Sequence, residues 1–429
     1  MAMTRFEKFL ASLLRGAVGM LFAVFQLLAP RRGADRSATR LPPITNPLLR
    51  VPAMRLARMI RRREVTSVEV VQAYIDRIQQ INPLINAMVK DRFSLALQEA
   101  AQVDKLIEGG DRRRGCSGGQ ASSTGGPFHC QRGILPPGAG VTAGGDFGNG
   151  RAPGGSAEEG RGHSSGGGEG SILGGGGSVI GVGSDVGGSI RIPAFFNGIF
   201  GHKPTSGEAL KSDTCCVVER LEADLGVNVQ QLKIPQLKYS FQIWSAMMGA
   251  PGKDGKQPTS FAELMSDHGK KVWPLWEMVK WTVGLSKHTM AAIGLVLVEM
   301  FQRSQPTQFI LQQKESLQKD LEELLGTDGV LLYPSHPHLA PKHHHPLFTP
   351  FNFSYTGIFN ILGLPVTQCP LGLSTEGLPL GLQLVVGKQQ DRLSLATAVF
   401  LEKTFGGWRD PGSIATQLDT CRGTATTTS

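Results

Sequence analysis

Apolar residues recur at helical spacing in several segments of the chain, and the clearest of them lies near the N-terminus. Over residues 66–80 they fall on one face of a predicted helix, and Thr66 with Glu69 forms a capping box at its start. Pro83 is expected to end this helix. Further helices are predicted over 52–63, 94–107, 208–225 and 392–405.

Short apolar runs bounded by turn residues predict strands in the C-terminal half. Residues 329–334 predict a buried strand, and alternation over 227–234 predicts another. Residues 366–373 and 380–386 predict a hairpin around the turn 374–377. The elements together predict an α/β domain over 51–408, followed by a disordered tail over 409–429.

The N-terminal segment has a different pattern. Residues 9–29 are almost wholly apolar and long enough to span a bilayer, which predicts a membrane anchor within 1–32. A signal peptide is the alternative because Arg5 and Lys8 precede the run, but no Ala-x-Ala pattern follows it. Basic residues on both sides leave the orientation open. Residues 33–50 are expected to form a tether.

The stretch 109–168 contains no tyrosine, tryptophan or lysine and is dominated by glycine, arginine, serine, alanine and proline. No helical or alternating period persists in it, and such a composition cannot build a core. It is predicted to be disordered.

Composition sets the class of partner. The chain has 429 residues, 40% of them hydrophobic, with a formal net charge of +9. Much of this charge flanks the apolar N-terminal run, which indicates anionic lipid rather than nucleic acid. The spacing of the six cysteines fits neither a disulfide framework nor a zinc site.

The richest candidate chemistry lies between residues 164 and 205. Ser189 follows two glycines and is a candidate nucleophile. Its neighbours can turn successive backbone N–H groups toward a developing oxyanion; the four residues are Val186, Gly187, Gly188 and Ser189 itself. Asp185 and Arg191 flank this turn and are expected to pair and brace it. A flexible linker is the alternative, but the apolar residues that follow the turn are typical of a core and argue against it.

The string from Gly181 to Thr205, with the serine pair before it, resembles the amidase-signature hydrolases. The tail motifs PSHP (334–337) and FGGW (405–408) resemble the membrane-anchored fatty-acid amide hydrolases of that family. The resemblance implies an α/β/α fold with a central mixed sheet. It implies that Ser189 is the nucleophile, that Ser164 is a bridging serine and that an upstream lysine is the base.

The chain departs from that pattern in three places. An extra glycine and His163 alter the serine pair, so counting back from Ser189 favours Ser165 as the bridge whereas the motif favours Ser164. No lysine occurs between Lys105 and Lys203, so the family's base is absent. One hypothesis for the biased stretch 109–168, and for the return of family-like sequence after it, is a shifted reading frame or a wrong exon. A segment after Thr205 is also skipped, and part of the sheet is expected to be missing or disordered.

Two side-chain clusters admit more than one interpretation. Trp273, Trp276 and Trp281 lie near lysines, which suits a membrane interface, an acyl-chain channel or an ordinary buried face. The histidines of 336–345 suggest a metal site, but their loop setting lacks ligand spacing, so no metal is predicted.

The resemblance implies hydrolysis of fatty-acid amides, both N-acylethanolamines and primary amides, through an acyl-enzyme on Ser189 and without a cofactor. It implies lipid substrate and membrane lipid as partners, no nucleic acid, a possible homodimer, and an endoplasmic-reticulum or lipid-droplet membrane. Because the base is absent, the alternative is a catalytically inactive, membrane-tethered lipid-binding relative. A secreted binding protein is a third hypothesis.

Overall fold

The computed structural model describes most of the predicted domain. The described residues are 41–85, 87–109, 142–143, 166–183, 185–205, 221–227, 229–250, 273–282, 285–286, 288, 293, 296, 308–341, 349, 351–374 and 377–411. They all belong to the second of two units, Met1–Thr39 and Arg40–Ser429. The predicted anchor over 1–32 and most of the stretch 109–168 lie outside them. Within the described ranges, every helix is too short or too polar to cross a bilayer.

Three helices open the domain: α1 (Ala53–Arg61), α2 (Ser67–Ile85) and α3 (Phe93–Glu108). The capping box at α2 is formed, because Thr66 N–H donates to Glu69 Oε2 (2.8 Å) and Glu69 N–H donates to Thr66 Oγ1 (3.1 Å). Pro83 lies inside α2 and does not end it as expected.

The central sheet has four strands in the order β3 (Gly201–Lys203), β5 (Val366–Leu373), β6 (Pro379–Val386) and β4 (Val330–Tyr333). Every pairing in it is antiparallel, as is the pairing of β1 (Met88–Lys90) with β2 (Thr142–Ala143). The predicted hairpin is β5 and β6. The expectation of a mixed sheet is corrected here, because all the strand pairs among the described residues are antiparallel.

The remaining helices have the bounds α4 (Gly167–Gly174), α5 (Arg191–Phe196), α6 (Ser240–Met248), α7 (Pro274–Thr282), α8 (Gln308–Leu325), α9 (Ser354–Leu362) and α10 (Asp391–Phe405). The strand predicted over 227–234 is wrong, since its described residues have no regular structure. A short 3-10 helix, Pro235–Tyr239, follows it.

Helices cover both faces of the sheet. Leu382 and Leu384 of β6 pack with Ala398 and Leu401 of α10 on one face. Successive side chains of a strand point to opposite faces of the sheet, so Val385, next to Leu384, packs with residues of α8 and α9 on the other face. Arg191 of α5 reaches Gln383 on this second face. The described part of the chain is therefore a layered α/β/α arrangement with α5 against the sheet.

The two ends of the described domain meet. Asp410 accepts hydrogen bonds from Ile44 N–H (3.2 Å) and from Arg50 Nη2 (3.1 Å), and Ile44 is buried. The described part of the predicted tether, 41–50, is therefore packed on the domain, and the ordered structure extends past residue 408.

Candidate active site

The turn before α5 is braced by a buried ion pair. The Arg191 guanidinium donates to both carboxylate oxygens of Asp185, from Nε to Oδ2 (3.0 Å) and from Nη2 to Oδ1 (2.9 Å). Both side chains are essentially inaccessible to solvent, at 0% and 1% exposure. The structure therefore brings together the two residues that the sequence suggests as a brace.

The ion pair is part of a larger polar network. Arg191 also donates to Gln383 Oε1 (3.0 Å) and to Asn360 Oδ1 (2.7 Å). Burial favours a neutral Asp185, but the charge of Arg191 and the hydrogen bonds from Arg191, Asn360 and Gly188 N–H outweigh it, so the pKa of Asp185 is well below its usual value. Asp185 is an ionised structural group and not an acid or base.

Gly188 has a conformation and a setting that require glycine. Its φ is +119°, in a region that L side chains rarely adopt. A Cβ at this position would collide with Thr356 Oγ1 and lie 2.6 Å from Ile192 Cδ1. The second glycine of the motif is therefore a requirement of the packing.

One of the four predicted oxyanion donors is already engaged. The N–H of Gly188 donates to Asp185 Oδ1 at 2.7 Å. The oxyanion-donor role of the other three residues, Val186, Gly187 and Ser189, stays a prediction. Val186 is 48% exposed and Ser189 is half-buried immediately before α5, so the turn lies at an accessible surface.

Ser164 and Ser165 lie outside the described residues, but the glycine that follows them is placed. A Cβ at Gly166 would collide with the carbonyl oxygen of Ser189 and lie 3.1 Å from Pro193 Cγ. The chain that leaves the serine pair therefore touches the candidate nucleophile's own backbone.

Lys203 is the buried amine of the region. It is 4% exposed, and strand alternation places it on the same face of β3 as Gly201, which contacts Ile190 and Ala194. Its Nζ donates to the carbonyl oxygen of Pro204. Burial and the nearby charge of Arg191 lower its pKa to about 7, against the opposing effect of Asp185 and Asp391.

Four residues of this site have no sequence signal near the motif. Thr356 Oγ1 donates to the carbonyl of Gly187 (2.5 Å), and Trp244 Nε1 donates to that of Val186 (3.1 Å). Asn360 and Gln383 complete the shell of Asp185 and Arg191. They come from positions more than fifty residues away, and only the tertiary structure shows them.

The described residues hold no cluster of three potential metal ligands. His336 is buried against Phe196 of α5, with ring centroids 5.0 Å apart, and its Nδ1 lies 2.7 Å from the carbonyl oxygen of His338. The later histidines, 343–345, lie outside the described residues. Within the group 336–345, the two described histidines are His336 and His338, and they contact each other in the loop.

Comparison with known proteins identifies the family, and the matched region includes the motif around Ser189. The Amidase family profile matches residues 156–217. Fatty-acid amide hydrolase 2-A of Danio rerio is 53% identical over an alignment of 541 residues that covers 96% of this chain and 99% of that protein. The chain belongs to the amidase-signature family.

Other relatives of this amidase-signature chain agree. Fatty-acid amide hydrolase 2 of Homo sapiens is 40% identical over 93% of this chain and 97% of that protein. A crystal structure of an amidase matches with a TM-score of 0.57 at 17% identity, over 83% of this chain and 100% of that one. At this identity the structural match establishes the amidase α/β fold alone.

The alignment also measures what the chain lacks. It extends over 541 residues, whereas the chain has 429, so at least 112 aligned positions have no counterpart here. The skipped segment expected after Thr205 stays a prediction.

Proposed function

We propose that this chain is a serine hydrolase that cleaves the amide bond of fatty-acid amides, including primary amides and N-acylethanolamines. The observation that carries the proposal is the 53% identity to a fatty-acid amide hydrolase across 99% of that protein. The braced turn that presents Ser189 at an accessible surface supports it.

In the proposed reaction, Ser189 Oγ attacks the amide carbonyl carbon and forms a tetrahedral intermediate. The N–H groups of Gly187 and Ser189, with that of Val186, stabilise its oxyanion. Ser164, or Ser165 in its place, passes the proton of Ser189 to the leaving nitrogen, which departs as ammonia or ethanolamine. Water then cleaves the acyl-enzyme and returns a proton to Ser189, so no cofactor is needed.

We propose further that the enzyme works at a lipid surface. Around α7 a row of large apolar side chains is exposed, and it includes Trp273 (70%), Leu275 (55%), Trp276 (59%), Val279 (50%) and Leu285 (73%). Indole rings at a polar–apolar boundary suit the interface of a bilayer. With the N-terminal anchor expected from the sequence, this surface favours attachment to a membrane. The endoplasmic reticulum or a lipid droplet is proposed from the family resemblance alone.

The second candidate is a catalytically inactive lipid-binding relative. The observation in its favour is the absence of any lysine between Lys105 and Lys203 in the sequence, because the family resemblance places its base there. The two candidates differ in whether bound amide is converted.

The test is hydrolysis of oleamide by the purified full chain in detergent micelles, with released fatty acid measured by mass spectrometry. The proposal expects release that is abolished by Ser189→Ala and unchanged by Ser374→Ala, a matched change in the β5–β6 turn. Binding of oleamide without release, equal in the wild type and Ser189→Ala, would establish the inactive relative instead.

A further inference from the structure

Four consecutive carbonyl groups of the turn 185–188 are held by donors of the protein. Asn360 Nδ2 donates to the carbonyl of Asp185, and Trp244 Nε1 donates to that of Val186 (3.1 Å). Thr356 Oγ1 donates to that of Gly187 (2.5 Å). The carbonyl of Gly188 accepts from Ile192 N–H (2.8 Å) inside the first turn of α5. We call the residues 185–189 the oxyanion turn.

We propose that Thr356, Asn360 and Trp244 are positioning residues that aim the backbone donors of the oxyanion turn. A trans peptide unit is planar, and its N–H points away from its C=O. Each donor that holds a carbonyl therefore also sets the direction of the next residue's N–H. Trp244 sets the N–H of Gly187 in this way, and Asn360 sets that of Val186.

The peptide between Gly187 and Gly188 shows how firmly this arrangement holds. Thr356 binds its oxygen, and Asp185 accepts its N–H at 2.7 Å. Both ends of one peptide plane are thus fixed by buried side chains. A plane held at both ends cannot rotate, so the peptide units on either side of it are held in register as well.

The positioning residues stand on two helices that pack tightly together. Thr356 and Asn360 are four residues apart on α9 and share one face of it. Trp244 belongs to α6, and its ring lies edge-on to Phe353 with centroids 4.7 Å apart. A Cβ at Gly357 of α9 would lie 2.9 Å from Trp244 Cδ1, so the two helices are in direct contact. We call Thr356, Asn360 and Trp244 the clamp. The clamp is rigid because the helices that carry it, α6 and α9, are part of the core.

This clamp has a chemical consequence. Donors that are already aimed at the oxyanion need no reorganisation when charge develops, and this preorganisation lowers the barrier rather than strengthening substrate binding. Loss of a clamp bond should therefore lower kcat and leave KM nearly unchanged. The inference rests on the proposed function, since it concerns the rate of the amide hydrolysis.

The experiment compares Thr356→Val with Thr356→Ser, which keeps the hydroxyl, and adds Trp244→Phe, which keeps a ring. Matched controls are Thr397→Val, whose hydroxyl bonds a carbonyl within α10, and Trp408→Phe, whose indole bonds the carbonyl of Gly174. Steady-state oleamide hydrolysis gives kcat and KM, and thermal unfolding checks that each variant is folded.

We expect kcat to fall about ten-fold in Thr356→Val and Trp244→Phe, less than the 10²–10³-fold that follows removal of an oxyanion donor itself. KM should stay within about two-fold, Thr356→Ser should recover most of the rate, and the controls should match the wild type. Equal kcat in Thr356→Val and the wild type would overturn the inference, as would a loss that Thr356→Ser does not recover. If the wild type hydrolyses no amide, the result contradicts the proposed function, and the clamp inference that rests on it fails with it.

Discussion

Replacing Arg191 by methionine should be among the most destabilising single changes in the chain. Methionine retains much of the apolar stem but removes all the donors of the guanidinium. Asp185 would lose the bonds of 3.0 and 2.9 Å from Arg191 and stay buried with a negative charge. The hydrogen bonds from Gly188 N–H and Asn360 would remain, and they cannot supply the missing positive charge.

The magnitude follows from the burial of both partners. Removing one member of a buried ion pair costs about 3–5 kcal/mol, because the other is left as an uncompensated charge. The pair here is 0% and 1% exposed, so solvent screens it little and the full range applies. Arg191→Lys should recover little of the loss, since an ammonium cannot form the two-pronged contact.

Urea unfolding monitored by tryptophan fluorescence measures the effect. The double variant Asp185→Asn with Arg191→Met should be about 1–3 kcal/mol more stable than Arg191→Met alone, because it removes the unpaired charge. Lys319→Met, which breaks a surface pair with Glu323, should change stability by less than about 1 kcal/mol. A loss below about 1 kcal/mol for Arg191→Met, or a double variant no more stable than the single one, would refute the reasoning.

Three other substitutions test separate contacts. Lys203→Met should stabilise the fold below pH 7, because the buried amine carries its charge there. The folded pKa of Lys203, about 7, lies below the unfolded value, so the unfolded state binds more protons between those pKa values and native stability rises with pH there. In urea titrations the gain should shrink from pH 7 to pH 10, and a gain independent of pH would contradict this. Gly188→Ala should cost at least about 2 kcal/mol and abolish hydrolysis, because φ is +119° and the Cβ collides with Thr356; a melting temperature equal to the wild type's would contradict it. Asp410→Ala should cost about 1–2 kcal/mol and speed tryptic cleavage after Arg50, since Asp410 holds Ile44 N–H and Arg50; unchanged cleavage would argue against the contact.

Local patterns predicted the elements whose residues carry their own signals. The apolar runs 366–373 and 380–386 around the turn 374–377 predict the β5–β6 hairpin, and Thr66 with Glu69 marks the start of α2. The approach of Asp185 to Arg191 is also local, because the two are six residues apart across one turn. In each case the determining contacts lie within a short window of sequence.

The rest of the site depends on contacts that no window contains. Thr356 is 169 residues from Gly187, and Trp244 is 58 residues from Val186. Nothing in the sequence around either residue marks it as a partner of the motif. At residues 227–234 the sequence predicted an element that is not formed. Their alternation suits a strand, yet the described ones pair with no other strand. A strand is stabilised by its partner, and the partner is not encoded in the alternation.

The central claim is that Ser189 is an activated nucleophile in this chain despite the missing lysine. The most direct measurement is treatment of the purified full chain with a fluorophosphonate, followed by peptide mass spectrometry. Such a reagent modifies serines whose nucleophilicity is raised by their surroundings. The account predicts a label on the peptide that contains Ser189 and its loss in Ser189→Ala. An unlabelled Ser189 in a folded chain would contradict it and leave the inactive relative as the better description.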